Sequence, residues 1–297
     1  MQGGPVRGCV LVTGASGQIG TRVCDGLRRS GHEVFAVDLN PDTRSEVEAC
    51  DVRVDRQVAR MFECGPMRAV IHLAAVLPTA FRADPLAAAE VNLTGTLNVL
   101  RHAVRRRIGR VIFASSMSVY GSSPTSRALN EGDPATPDEP YGGAKRAVEL
   151  IGGGLTTQRG IEFVSLRIAR VVGPSARSVV SSWRSGIFAR SASRDDLPIS
   201  IPFAPAARLS LVHEDEVARM LMTLVEAPDR PQPVYNSPVE VWEAGKLAEL
   251  VEGEKKVRVQ TGGAHGGPIC DGTRFAQDFG FRLNGLAHYL SSPGVVG

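Results

Sequence analysis

A chain of 297 residues with 43% hydrophobic residues and a mean hydropathy of −0.04 is long enough to bury a large core, as one elaborated domain or two unequal ones, and reads as a soluble globular protein. No apolar stretch reaches the ~18 residues of a membrane span, the first residues lack the apolar core of an export signal, and five cysteines without a CxxC pair read as reduced thiols, so a cytoplasmic location is expected. The formal charge of +3 is too small for a nucleic-acid surface, and the cluster Arg105, Arg106, Arg107 and Arg110 reads instead as a solvated helix end, where cations favour the C-terminal dipole.

The first element is an apolar run over residues 9–12, which meets Thr13 and then places glycines at 14, 17 and 20 before a helical stretch. Gly14 allows a sharp strand-to-helix turn, Gly17 lets backbone amides approach a diphosphate, and Gly20 lets the helix pack closely on the strand. A helix is expected over 18–30, with Ile19, Val23 and Leu27 on one face, and Gly31 ends it. A second strand over 33–37 stops at Asp38, which lies 18 residues after Gly20. A carboxylate there accepts hydrogen bonds from the adenosine ribose and repels a 2′-phosphate, so NAD is favoured over NADP; Arg44 is the nearby residue that would favour the phosphate. Asp38 also suits a strand-end turn before Asn40-Pro41-Asp42.

The alternation continues with a short helix over 56–62 and a strand over 69–73 leading into Ala74-Ala75. Asp84 and Pro85 open a long helix running to about residue 107, as N-cap and first residue. A strand over 110–114, a helix over 141–158 and a strand over 162–166 follow. This order predicts an α/β fold with a doubly wound parallel sheet, its ligand at the carboxyl ends of the strands.

Chemistry gathers after those strand ends. The strand at 110 runs into Ala114-Ser115-Ser116-Met117-Ser118-Val119-Tyr120-Gly121, and a Pro-, Ser- and Asp-rich loop ends at Tyr141-Gly142-Gly143-Ala144-Lys145. Tyr141 and Lys145 are four apart, on one face of a helix, in a chain with only four tyrosines. An ammonium beside a phenol favours the phenolate, so Tyr141 is expected to carry a lowered pKa and to serve as general base toward an alcohol. Gly152-Gly153-Gly154 weakens this helix by roughly 1 kcal/mol per glycine, and either permits close helix approach or ends the helix early.

At this point the sequence resembles the extended short-chain dehydrogenase/reductase family, of the NAD-dependent epimerase/dehydratase type. The resemblance rests on the stretch from Thr13 to Gly20, Asp51-Val52, His72-Leu73-Ala74-Ala75, Asn92-Leu93-Thr94-Gly95-Thr96, Ser115-Ser116 with Val119-Tyr120-Gly121, and Tyr141 with Lys145. Leu166-Arg167, Gly173-Pro174, the stretch from Leu211 to Ala218, Tyr235-Asn236 and Phe279-Gly280-Phe281 extend it over nearly the whole chain. It implies a Rossmann-like fold in which residues 1–173, rejoined by 206–236, bind NAD, and 174–205 with 237–297 form a smaller substrate-binding portion.

The resemblance further implies that Gly14, Gly17, Gln18 and Ile19 surround the diphosphate, Asp38 the ribose, and Asp51 with Val52 the adenine. Leu73, Ala74, Ala75, Asn92, Ala114 and Ile168 would complete the cofactor site. Tyr141 would be the acid/base, Ser116 would hold the substrate oxygen, and Lys145 would bind the nicotinamide ribose. Met117, Ser118 and Arg170 would join Ser116 in facing substrate. Met117 and Ser118 replace the acidic pair of family dehydratases, which disfavours dehydration. Arg170 stands where nucleotide-sugar enzymes often carry Asn, and Arg208 is displaced by one from an expected Arg-Asp pair. Arg177, Arg184, Arg190 and Arg194 form either an anion-binding wall or a solvated loop. The expected activity is reversible hydride transfer at a secondary alcohol of a sugar or sugar nucleotide. A sugar-acid dehydrogenase and a non-catalytic dinucleotide-sensing scaffold are the alternatives. A homodimer through the helices at 84–107 and 141–159 is implied, without metal, membrane or nucleic acid.

Overall fold

In a computed structural model of the chain, which describes residues 8–41, 46–176, 181–188, 198–228 and 231–291, strands and helices alternate from the start. The first half comprises β1 (Cys9–Thr13), α1 (Gln18–Arg29), β2 (Val34–Asp38), β3 (Val47–Ala49), α2 (Asp55–Met61), β4 (Met67–His72), α3 (Pro78–Ala83), α4 (Pro85–Ala89), α5 (Thr96–Arg105) and β5 (Arg110–Ser116). Then come β6 (Ala128–Leu129), α6 (Pro140–Arg159), β7 (Glu162–Ile168), β8 (Arg170–Val172), α7 (Trp183–Gly186), β9 (Ile199–Phe203), β10 (Arg208–His213) and α8 (Glu214–Glu226). The chain closes with β11 (Val234–Asn236), β12 (Glu240–Glu243), α9 (Ala244–Lys255), β13 (Val259–Ala264), β14 (Ile269–Cys270), α10 (Thr273–Phe279) and α11 (Leu286–Ser291).

Seven strands form one sheet in the order β11-β7-β5-β4-β1-β2-β3, and every pairing in it is parallel. The chain winds outward from β1 through β2 and β3, then restarts at β4 on the other side. The topological switch therefore lies between β1 and β4, where ligands of such sheets bind. Burial follows strand periodicity. Val10 and Val12 enter one apolar layer with Val23 and Leu27 of α1 and Leu221 of α8, whereas Leu11 enters the opposite layer with Val99 of α5 and Val148 of α6. A third cluster, including Trp183, Ile201, Leu209 and Leu247, underlies a small sheet ordered β12-β10-β8.

One helix departs from expectation, and another takes one of its two expected courses. The helix predicted from Asp84 to residue 107 is interrupted by a π-helical turn, Glu90–Gly95, between α4 and α5. Asp84 caps α4 as expected, accepting from the Leu86 and Ala87 amides at 3.1 and 3.0 Å. The wide turn accompanies the inward reach of Asn92, whose amide is matched to the Val76 backbone. Helix α6 runs unbroken through its three glycines to Arg159. A Cβ at Gly152 would lie 2.2 Å from the Phe163 ring, so this glycine serves close approach of α6 to β7.

Candidate active site

The glycine turn sits at the switch point. Gly14 adopts φ +72°, and a Cβ there would lie 2.7 Å from the Ala74 nitrogen, so the turn after β1 packs directly against the segment after β4. Helix α1 begins at Gln18 with no side-chain cap, leaving first-turn amides directed toward an anion. Asp38, at the end of β2, accepts the Ser16 amide and the Asn40 amide, each at 3.0 Å. Two backbone bonds leave about half of a carboxylate's lone-pair sites open, which fits a ribose diol. Asp51 is taken up by Arg53, which donates at 3.0 and 2.7 Å and holds the carboxyl below its usual range. Val52 is buried, Leu73 is fixed by its amide to Thr13, and the Ala74 amide donates to the Thr13 hydroxyl at 3.2 Å. Asn92 occupies both ends of its amide on Val76, at 2.8 and 3.0 Å, and thereby braces the segment that follows Ala75.

Ser116 ends β5, and its hydroxyl accepts the Ser118 amide at 3.1 Å, capping the short 3-10 turn Met117–Tyr120. Tyr141 and Lys145, on the first turns of α6, are both buried. The Lys145 ammonium donates to the Ala114 carbonyl at 2.7 Å and lies 4.6 Å from the Phe113 ring centroid and 5.7 Å from that of Tyr141. The expected lowering of the phenol pKa is reversed in this arrangement. Burial pushes Tyr141 up to about 12, against the smaller opposing effects of a hydrogen bond with Ser116 and the charge of Arg184. Burial also pushes Lys145 down to about 7, with Glu149 opposing. Spacing brought the pair together, but desolvation dominates the shift of each.

The same region holds residues to which the sequence assigned no role. Glu149, one turn beyond Lys145, is enclosed and pairs with Arg167 at 2.9 and 2.8 Å; the Ser115 hydroxyl donates to it at 2.6 Å. Arg167 also donates to the Tyr120 hydroxyl at 2.8 Å, which donates to Asn236 at 2.9 Å. Glu214, buried at the start of α8, accepts from Gln18 and Arg22 of α1 and from the Ser175 amide at 3.3 Å. It ties the glycine-turn helix to the segment after β8, and Gly173 leaves room for its side chain. An i,i+4 spacing from Lys145 is the signal that could have marked Glu149.

Ile168 closes β7, and Arg170 opens β8 half-buried, its guanidinium 4.6 Å from the Phe203 ring centroid and donating to the Gly266 carbonyl at 3.2 Å. Arg184, on α7, is half-buried, and its charge acts to lower the Tyr141 phenol pKa. Arg44, Arg177, Arg190 and Arg194 lie outside the described residues.

A family model described as NAD dependent epimerase/dehydratase matches residues 10–237. The UDP-glucose 4-epimerase of Lacticaseibacillus casei is 28% identical over 173 residues, covering 55% of this chain and 52% of that one, so the chain spans about half the length of such relatives. The structure of the Thermus thermophilus UDP-glucose 4-epimerase in complex with NAD is 24% identical with a TM-score of 0.80, covering 95% of this chain and 96% of that one. MoeE5, solved with UDP-glucuronic acid and NAD, is 26% identical with a TM-score of 0.82, covering 96% and 97% respectively.

Proposed function

The chain belongs to the NAD-dependent epimerase/dehydratase family, and from that premise we propose that it binds NAD and catalyses reversible hydride transfer at a secondary alcohol of a sugar or sugar nucleotide, with Tyr141 as acid/base. The observation that carries this reading is the convergence of Ser116, Tyr141 and Lys145 at the end of β5 and the start of α6, beside the glycine turn. The turn fits a dinucleotide because its close backbone packing excludes side chains at Gly14 and Gly20 while the α1 amides stay open. Gly14, Gly17, Gln18 and Ile19 would hold the diphosphate, Asp38 the ribose, and Asp51, Val52, Leu73, Ala74, Ala75, Ala114 and Ile168 the remaining wall. When bound, the nicotinamide supplies the hydride acceptor and donor.

Tyr141 then holds or releases the proton at the substrate oxygen, Ser116 orients that oxygen, and Lys145 adds positive charge where a phenolate would form. Met117 and Ser118 offer no carboxylate to remove a β-hydroxyl, consistent with epimerisation or oxidation and against dehydration. Residues 1–173 with 206–236 carry the cofactor in this reading, and 174–205 with 237–297 the substrate. Oxidation of a sugar acid is the second reading, favoured by the arginines at 170 and 184. Tyr141→Phe tests the assignment: with NAD binding retained, turnover of sugar substrates is expected to fall by about 100-fold or more, and unchanged turnover overturns it.

The proposal includes a cytoplasmic homodimer. No helix among the described residues is long and apolar enough to cross a membrane. Leu86 is 79% exposed, Leu150 61% and Ile151 42%, all on the two helical segments that would pair. Sedimentation at micromolar concentration should give twice the chain mass, shifting to the monomer in Leu86→Glu/Leu150→Glu; a monomeric parent refutes the dimer.

A further inference from the structure

The turn that follows β3 is fixed by backbone and side-chain bonds. The Cys50 amide donates to the Asp38 carbonyl at 2.7 Å, which sets residue 51 beside the end of β2. The Asp51 amide donates to Gln57 Oε1 at 2.8 Å, and the Val54 amide donates to the Asp51 carbonyl at 3.0 Å. From α5, the buried Asn98 donates its side-chain amide to the Val52 and Arg53 carbonyls at 3.0 and 3.1 Å. Within this frame both oxygens of the Asp51 carboxylate are engaged by one residue. Oδ1 accepts the Arg53 amide at 2.9 Å and Arg53 Nε at 3.0 Å, while Oδ2 accepts Nη2 at 2.7 Å and Nε at 3.1 Å. Those four contacts meet the roughly four lone-pair sites of a carboxylate. Asp38 differs, since it accepts two backbone amides and keeps sites open for a ribose. The Arg53 side chain is 40% exposed and that of Asp51 18%, so the guanidinium is the open member of the pair. An exposed ion pair adds little to stability, but a bidentate one fixes the plane of the guanidinium.

We infer that Arg53, rather than the Asp51 carboxylate, meets the adenine of the cofactor: Asp51 holds the guanidinium plane, and the base stacks on that plane without its 6-amino group being read. This deepens the proposed function and rests on its placement of NAD at the glycine turn. A planar, weakly hydrated guanidinium stacks on base and aromatic faces, and its charge adds a cation–π attraction. Reading the amino group requires a free acceptor, which a carboxylate engaged through both oxygens does not offer. Asp51 is thus a positioning residue and Arg53 a cofactor-binding one.

The test is calorimetric titration of the full chain with NAD and with the dinucleotide that carries purine in place of adenine, which lacks the 6-amino group and keeps the ring nitrogens. The parent is expected to bind the two within about 2-fold of each other, because no free acceptor reads the amino group. Arg53→Leu should bind NAD about 10-fold more weakly than the parent, through loss of the stacking cation. The same variant should gain a preference of about 5-fold for NAD over the purine dinucleotide, because Asp51 is then free to accept the amino group. Arg53→Lys should recover little NAD affinity, since an ammonium supplies charge without a plane. A merely structural role for Arg53 would weaken both dinucleotides equally and create no such preference. A parent that already prefers NAD by about 5-fold or more, Arg53→Leu and Arg53→Lys variants that bind NAD as tightly as the parent, or an Arg53→Leu variant without the new preference overturns the inference. A parent that binds neither dinucleotide overturns the proposed function instead.

Discussion

Replacing Glu149 by Gln challenges the buried centre that supports the candidate site. The Glu149 side chain is wholly enclosed, and its carboxylate takes Arg167 at 2.9 and 2.8 Å, the Ser115 hydroxyl at 2.6 Å and Arg146 at 3.0 Å. Burial raises its pKa, but Arg167, Ser115 and Arg146 together overcome burial and hold the carboxyl below its usual range. Gln keeps the shape, yet it offers one acceptor oxygen in place of two and leaves Arg167 a buried cation without counter-charge. Removing one member of such a pair costs about 3–5 kcal/mol, a large share of the roughly 5–15 kcal/mol that holds a native protein together. With a urea slope of about 3 kcal/mol/M, the unfolding midpoint at pH 7 should fall by about 1 M or more. Glu149→Leu combined with Arg167→Met should recover most of that loss, because an apolar pair leaves no orphaned charge. The sign with pH follows from the depressed carboxyl: its stabilisation is complete above the unfolded value of 4.5 and is lost as pH falls through the lower folded value. A loss of under about 1 kcal/mol for Glu149→Gln, the range of an exposed ion pair, would refute the reasoning.

Adjacent glycines in α6 should respond with opposite signs. Gly152→Ala places a Cβ against the Phe163 ring and should destabilise by about 1–3 kcal/mol, whereas Gly153→Ala and Gly154→Ala, with open space around each Cβ, should stabilise by up to about 1 kcal/mol apiece; equal responses at the three positions in thermal unfolding would contradict the packing. His72 supplies a pH test. Burial, with Lys145 repulsion second, pushes it from 6.5 down to about 3, and its ring lies between the Thr13 and Thr96 hydroxyls at 2.7 and 2.9 Å. The unfolded chain takes up this proton below 6.5 while the folded chain does not, so stability is lost as pH falls by about 1.4 kcal/mol per unit. His72→Gln should flatten the measured slope between about pH 6 and 4.5 by up to that amount, and an unchanged slope would show that His72 titrates normally.

The sheet was legible because each central strand is a short apolar run with a distinct stop: Gly14 after β1, Asp38 at the end of β2, Ala74-Ala75 after β4, and Ser116 at the end of β5. Those stops are also where the chemistry stands, so fold and site were read from the same residues. What the sequence did not carry was pairing across elements. Glu149 lies beside a recognised motif and Arg167 within one, yet their bond joins α6 to β7 and depends on how closely Gly152 lets the two approach. The π turn at Glu90–Gly95 was hidden for a related reason: the wider turn shares the helical composition around it and is marked by Asn92 reaching Val76, a contact across a loop.

The Tyr141–Lys145 pair shows most directly how position can be legible when electrostatics is not. A spacing of four fixes which helix face the two share, but the sign of each shift depends on how much water the surrounding elements exclude. With burial dominant, Tyr141 is pushed up to about 12 and is a phenol at neutral pH, and Lys145 is pushed down to about 7. A phenol beside the substrate oxygen is matched to giving a proton to a carbonyl. Accepting one from an alcohol requires positive charge next to the oxygen, and the neighbours present divide that task unequally. Arg184 lowers Tyr141, whereas the charge on Lys145 is itself sustained by Glu149. The buried Glu149–Arg167 pair thus does more than hold α6 to the sheet. Through Glu149 it also sustains the charge on the lysine one turn away, so core and candidate site share one carboxylate.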